Sequence, residues 1–157
     1  MMGLFIEAAG GINIAADRIP GVSGVLNLEY LITDQPDRYL ATAIGSVDLE
    51  MAVEEQPYVV LGAGVSEPVA RRSLARVTDR PGLAALDAIR EQRAFAIWHH
   101  FYNTPLNVVA VQALARWLHP KQLGHLQPER TLAEFYERFQ PVELNGTYWV
   151  TLGEETP

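Results

Sequence analysis

A short apolar run, a polar aromatic loop and the start of a helix follow one another in the middle of this chain. The run Ala94–Trp98 is typical of a buried strand, and after the loop Thr104 can serve as an N-cap with Pro105 as the first helical residue. This helix is expected to continue to His119. In open α/β sheets, ligands bind beyond the carboxyl ends of the strands. The loop at residues 98–102 is therefore the first candidate for a functional site.

Apolar runs alternate with helical patterns along the rest of the chain. Strands are predicted at 38–44 and 58–61, and helices at 27–33, 66–77, 81–90 and 131–139. Thr131 and Glu134 form a capping-box pattern that is expected to open the last helix. Asn145 followed by Gly146 predicts a turn, so the C-terminus is expected to form a hairpin or an extended tail. Because strands alternate with helices, we predict an α/β fold with a mostly parallel central sheet flanked by helices.

Length and composition limit the class of protein. The chain has 157 residues, 48% of them hydrophobic, which is enough to bury the core of a single globular domain, 1–157. The formal net charge is −7 and no basic cluster occurs, which argues against nucleic-acid binding and against docking on an anionic membrane. Cysteine is absent, which excludes disulfides and cysteine-ligated metals. No apolar run approaches the roughly 20 residues of a membrane span, so membrane insertion is not expected.

Six segments, taken in order, resemble one family. They are residues 8–16, 26–31, 35–40, 80–90, 94–98 and 114–120. Together they are similar to the C-terminal lobe of the periplasmic substrate-binding proteins of ferric-siderophore, haem and cobalamin ABC importers, the helical-backbone or class III type. The resemblance covers nearly the whole chain and implies a Rossmann-like, three-layer lobe.

The resemblance also implies an architecture and a location. Members of this family have two α/β lobes joined by a long helix, and the ligand binds between them. This chain resembles only the second lobe, so we expect a fragment from which the N-terminal lobe and the linking helix are absent. The location is expected to be periplasmic or extracytoplasmic, with the signal sequence outside this chain. An isolated lobe is expected to bind weakly, and its exposed interlobe surface could drive self-association.

The family resemblance assigns a ligand-facing loop between the last strand and the next helix. Here that loop contains Trp98, His99, His100, Phe101 and Tyr102. In an extended loop, Trp98, His100 and Tyr102 would share one side, and the two adjacent histidines would point apart and rarely chelate one metal. Trp98 and Phe101 could stack on a flat ligand or fill the core. Tyr102 could ligate ferric iron or pack at the rim of the sheet.

A second site follows from the same resemblance. Each lobe of the family presents an acidic residue that docks on arginines of the membrane permease. In the segment 26–31 that residue is Glu29. The alternative is an ordinary exposed helix carboxylate.

The leading hypothesis is therefore the substrate-binding component of an ABC importer for a ferric siderophore, haem or cobalamin. It has no catalytic residue, no resident metal and no cofactor, and its partners are the small metal-complex ligand and the permease. The rival is a small metal-dependent α/β hydrolase using His99, His100 and a carboxylate such as Glu67 or Asp48. The chain lacks the motifs of such enzymes, including a nucleophile elbow and His-Glu-x-x-His. A third interpretation is a pure interaction domain with an acidic surface.

Gly62, Gly64 and Glu67 occupy the three positions at which a dinucleotide-binding loop has glycine. A carboxylate at the third position would repel a pyrophosphate, so we reject that interpretation. The glycines are instead expected to allow a tight turn from strand to helix.

Overall fold

Parallel and antiparallel strands meet in the sheet of this protein. The computed structural model describes residues 2–19, 21, 23–45 and 57–153. The strands are β1 (Tyr39–Ala43), β2 (Ala94–Trp98) and β3 (Trp149–Thr151), in the order β1-β2-β3. β1 and β2 run parallel, and their register places Ala43 opposite Trp98. The carboxyl ends of these two strands therefore lie side by side.

Helices alternate with these strands along the chain. In chain order they are α1 (Gly3–Ala8), α2 (Leu28–Asp34), α3 (Glu67–Thr78), α4 (Asp87–Arg90), α5 (Asn107–Leu118), α6 (Pro120–Leu123) and α7 (Pro128–Phe139), with 3-10 helices at Leu83–Ala85 and His99–Asn103. The helices predicted at 27–33 and 66–77 agree closely with α2 and α3. The single helix predicted at 81–90 is instead split, because Leu86 has an extended backbone between the 3-10 turn and α4. The observed order confirms the α/β class, with a sheet flanked by helices.

The chain divides into two compact units. The first comprises Met1–Leu26 and His100–Leu144, and the second comprises Asn27–His99 and Asn145–Thr156. In the first unit α5 packs against both α1 and α7. The second unit contains the sheet. The single domain predicted over the whole chain stays a prediction.

The C-terminal segment is an added strand rather than a hairpin. β3 pairs antiparallel with β2, with Val150 opposite Ala96. Gly146 does turn the chain, with φ of +84°. Residues 141–145, directly before this turn, form no strand, so the turn does not join two strands of a hairpin. Of the two predicted outcomes, hairpin or extended tail, the hairpin is not observed. The extended C-terminal segment instead pairs with the side of β2 that β1 leaves free.

A buried segment and α3 form the core of the second unit. Residues 59–61 are almost completely buried, but they are not a strand of this sheet, contrary to the prediction for 58–61. Val60 N instead donates a hydrogen bond of 3.0 Å to the hydroxyl of Ser73 in α3. The segment ends in a single antiparallel bridge between Gly62 and Thr147. The Ser73 side chain of α3 thus accepts a hydrogen bond of the kind that a backbone carbonyl of a neighbouring strand accepts in a sheet.

Two predicted helix starts are wrong, for local reasons. α5 begins at Asn107, and the hydroxyl of Thr104 donates to Phe101 O, so Thr104 closes the preceding 3-10 turn instead of capping the helix. α7 begins at Pro128, three residues before the predicted capping box. Glu134 therefore lies inside the helix, where it accepts a hydrogen bond from Arg130.

Candidate ligand-binding edge of the sheet

The end of β1, the end of β2 and the end of the buried segment 58–61 meet at one edge of the second unit. Gly45 lies two residues beyond β1, and a Cβ on Gly45 would approach Leu61 O to 3.0 Å. A Cβ on Gly62 would lie 2.6 Å from Gly45 O and 3.1 Å from Trp98 Nε1. We call the surface formed by Gly45, residues 62–64, Trp98 and residues 145–148 the carboxyl edge.

Trp98 is held in place at the carboxyl edge by Tyr148. The two ring centroids are 5.2 Å apart and the ring planes are perpendicular. The backbone of Trp98 also donates to Tyr148 O at 2.8 Å. Tyr148 is buried, whereas Trp98 keeps part of its surface exposed. A fixed, partly exposed indole offers a large contact area at little entropic cost, which suits a flat or apolar ligand face.

The glycines at this edge allow backbone to pack against backbone. Gly62 and Thr147 exchange backbone hydrogen bonds of 2.7 and 3.2 Å, and Gly64 N donates to Asn145 Oδ1 at 2.9 Å. Gly146 has a positive φ, and a side chain there would collide with the carbonyl of Gly62. The amide hydrogens of Gly62 and Gly64 are thus used inside the protein and are not available to a phosphate. This geometry agrees with the tight turn expected from the glycines and with the rejection of dinucleotide binding.

The loop after Trp98 is helical rather than extended. Residues His99–Asn103 form a 3-10 helix, in which side chains three apart, not two apart, share a face. The alternation predicted for residues 98–102 is therefore wrong. Phe101 is completely buried, so it takes the core alternative that the sequence left open. His100 is exposed, and His99 and Tyr102 are partly exposed.

Glu29 lies in the first turn of α2 and is exposed. The side chain of Asn27 accepts a hydrogen bond of 2.8 Å from Glu29 N and so caps the helix. The carboxylate is thus presented to solvent by a well-defined helix start. This placement fits both the docking residue and the ordinary helix carboxylate, and the assignment stays a prediction.

The residues of the hydrolase alternative are not brought together in the part of the chain that the structure describes. Glu67 forms an ion pair with Arg71 at 3.0 Å on the surface of α3. Asp48 lies outside the described residues. Within the described ranges there is no group of three or more histidine, aspartate or glutamate side chains placed to hold a metal ion. No observation favours this alternative. The described helices also include none that is long and apolar enough to cross a membrane.

Sequence reasoning missed Tyr148 and Asn145 as parts of this edge. Both belong to the C-terminal segment, which reaches the edge only because it pairs antiparallel with β2 and bridges to Gly62. The alternating pattern around Trp149 was the available signal for a strand. It did not indicate which strand would be the partner.

Comparisons with known proteins concern the fold of this chain. No protein-family model matches the chain, and no curated protein sequence matches it significantly. Among solved structures, the TroA-like periplasmic binding protein FepB from Veillonella parvula is similar, with a TM-score of 0.83 and 24% sequence identity. This chain shares the fold of the matched part of that binding protein. The match covers 96% of this chain and 42% of the FepB chain.

The comparison confirms the resemblance predicted from the sequence at the level of the fold. FepB is described as a TroA-like periplasmic binding protein. The chain spans less than half the length of FepB, so the activity of a whole binding protein is considered below as a proposal.

Proposed function

We propose that this chain is a lobe of a substrate-binding protein that works outside the cytoplasm. The protein would capture a ligand without changing it covalently and would deliver it to the permease of an ABC importer. The observation that carries the proposal is the likeness of 96% of the chain to a periplasmic binding protein. The carboxyl edge supports it, because ligands of α/β folds bind beyond the ends of parallel strands. No group at this edge needs to act as an acid, base or nucleophile for capture by contact.

The proposed ligand is a metal complex: a ferric siderophore, haem or cobalamin. Trp98 would supply the main contact surface, since its ring is fixed by Tyr148 and partly exposed. His99, His100 and Tyr102 are proposed as further contacts on the 3-10 helix that follows. Phe101 is left out of the contact set because it is completely buried.

Glu29 is proposed as the residue that docks on the permease. Its support is the exposed position in the first turn of α2. Complementary charges at the rim of an interface mainly raise the rate of association and set the register of the partners.

Direct binding measurements test the proposal. Equilibrium dialysis, followed by the visible absorbance of the probes, would measure the affinity of the chain for a ferric trihydroxamate, haem and cobalamin. We expect saturable binding of at least one of them. If none binds saturably, the proposed function is wrong.

A substitution at Trp98 tests the site. Trp98→Ala should weaken binding about tenfold or more, because a central aromatic contact is lost, and Trp98→Phe should retain part of the affinity. Trp117→Phe, in the first unit, is the matched control and should bind like the unsubstituted chain. Circular dichroism would show that each variant is folded. Equal binding by Trp98→Ala and the control would rule out this edge as the site.

A further inference from the structure

The segments that build the carboxyl edge contain no lysine or arginine. Neither residue type occurs in residues 39–70, 94–115 or 139–157, which contain two histidines, His99 and His100. These segments supply Gly45, residues 62–64, Trp98 and residues 145–148. They do contain acidic residues, among them Glu67 and Glu143. The segments that form the carboxyl edge therefore contribute no arginine or lysine to it.

Two arginines of the second unit, Arg93 and Arg80, contact backbone at the amino ends of its strands and of the buried segment. Arg93 directly precedes β2, and its Nε donates to Asp37 O at 2.6 Å, just before β1. Arg80 donates to Pro57 O at 2.6 Å, at the amino end of the buried segment. Arg93 and Trp98 are five positions apart along the strand, which corresponds to about 16 Å.

Two arginines of α3 are likewise directed away from the carboxyl edge. Arg76 donates to Tyr58 O at 3.4 Å, again at the amino end of the buried segment. Arg71 donates to Thr151 O at 3.2 Å, and Thr151 is paired with Phe95 near the start of β2. Arg71, Arg76, Arg80 and Arg93 thus all contact backbone near the amino ends of the strands or of the buried segment.

This distribution has a physical consequence for the ligand. The separation along β2 is about twice the Debye length at physiological ionic strength, which is about 8 Å, so arginines at the amino ends contribute little to a ligand at the carboxyl ends. An anion at this edge would lose hydration without gaining a lysine or arginine partner from the segments that form it. The net charge of −7 adds repulsion.

We infer that the ligand of the carboxyl edge carries no net negative charge: it is an electroneutral or cationic metal complex, held by the Trp98 ring and by neutral polar groups such as the Asn145 amide. A neutral ferric trihydroxamate or an amide-rimmed corrinoid has this character. A trianionic ferric tricatecholate, or haem with its two carboxylates, does not. The inference rests on the proposed function and narrows its ligand class.

Two probes that differ in charge but hold the same metal test the inference. Equilibrium dialysis of the chain would compare a neutral ferric trihydroxamate with a trianionic ferric tricatecholate at low and high salt. We expect the neutral complex to bind roughly 30-fold tighter or more, a difference that corresponds to a missing charge-assisted contact. Its affinity should be insensitive to salt, because no ionic contact is involved.

A gain-of-charge variant provides a second, independent measurement. Ala63 is exposed between Gly62 and Gly64, so Ala63→Arg places a cation at the carboxyl edge. It should raise the affinity for the tricatecholate about tenfold at low salt, and this gain should shrink at high salt because the new contact is ionic. Ala75→Arg, at an exposed position of α3 away from this edge, is the matched control and should have a much smaller effect.

The outcomes separate the inference from the proposed function. Tight, salt-sensitive binding of the tricatecholate by the unsubstituted chain would overturn the inference and leave the proposed function standing. Equal gains from Ala63→Arg and Ala75→Arg would also overturn it, because the cation would then act through the net charge alone. Failure of the neutral probes, cobalamin included, together with the anionic ones would overturn both.

Discussion

The hydroxyl group of Ser73 joins α3 to the buried segment 58–61 through two hydrogen bonds. It accepts from Val60 N at 3.0 Å and donates to Ala70 O at 2.7 Å, and Ser73 is completely buried. Ser73→Ala would leave a buried amide without a partner, which costs about 1–3 kcal/mol of the free energy of unfolding. Urea denaturation followed by circular dichroism would measure this loss. The exposed hydroxyl of Thr33 donates to Glu29 O, and Thr33→Ala should change stability by about 0.5 kcal/mol or less. Equal losses in the two variants would contradict this account of Ser73.

At the scale of the helix, Glu134 and Arg130 form an i,i+4 pair on the surface of α7, 2.8 Å apart. The hydrogen bond from Arg130, and then its charge, lower the pKa of the Glu134 carboxyl. A lowered pKa in the folded state means that the pair stabilises the fold at neutral pH. This stabilisation is lost as the pH falls through the lowered pKa. Because the pair is exposed, we expect a small contribution that salt screens.

The pKa of Glu134 can be followed by NMR from the side-chain carboxyl carbon. In Arg130→Gln the pKa should rise toward its ordinary value. In Arg138→Gln it should rise less, because the charge of Arg138 is the weakest of the causes. A larger rise in Arg138→Gln than in Arg130→Gln would show that the pair does not control the titration.

At the scale of the whole molecule, the proposed docking role of Glu29 predicts a defect in complex formation alone. Glu29→Lys should weaken association with the permease about tenfold or more, mainly through a slower on-rate, while ligand affinity stays unchanged. Surface plasmon resonance on permease in nanodiscs would measure both rates. Glu137→Lys, at an exposed position of α7, carries the same charge change and should associate normally. The same slowing in both variants would point to net charge instead of a docking site.

The sequence by itself determined the elements whose signals are local. The apolar run Ala94–Trp98 became a strand, and the helices at α2 and α3 begin and end close to their predicted positions. The alternation of these elements was also enough to predict the α/β class. The resemblance in fold was predicted separately, from six residue segments that resemble one family in order.

The tertiary structure decided which residues meet at the carboxyl edge. Tyr148 reaches Trp98 only because the C-terminal segment pairs with β2, and Val60 finds Ser73 only because α3 packs on the buried segment. The hydrogen bond from the Thr104 hydroxyl to Phe101 likewise belongs to a 3-10 turn that the residue pattern at 98–102 did not indicate. Local patterns record the preference of a segment for helix or strand and for burial. They do not record its partner, because contacts between distant residues depend on the packing of the whole unit.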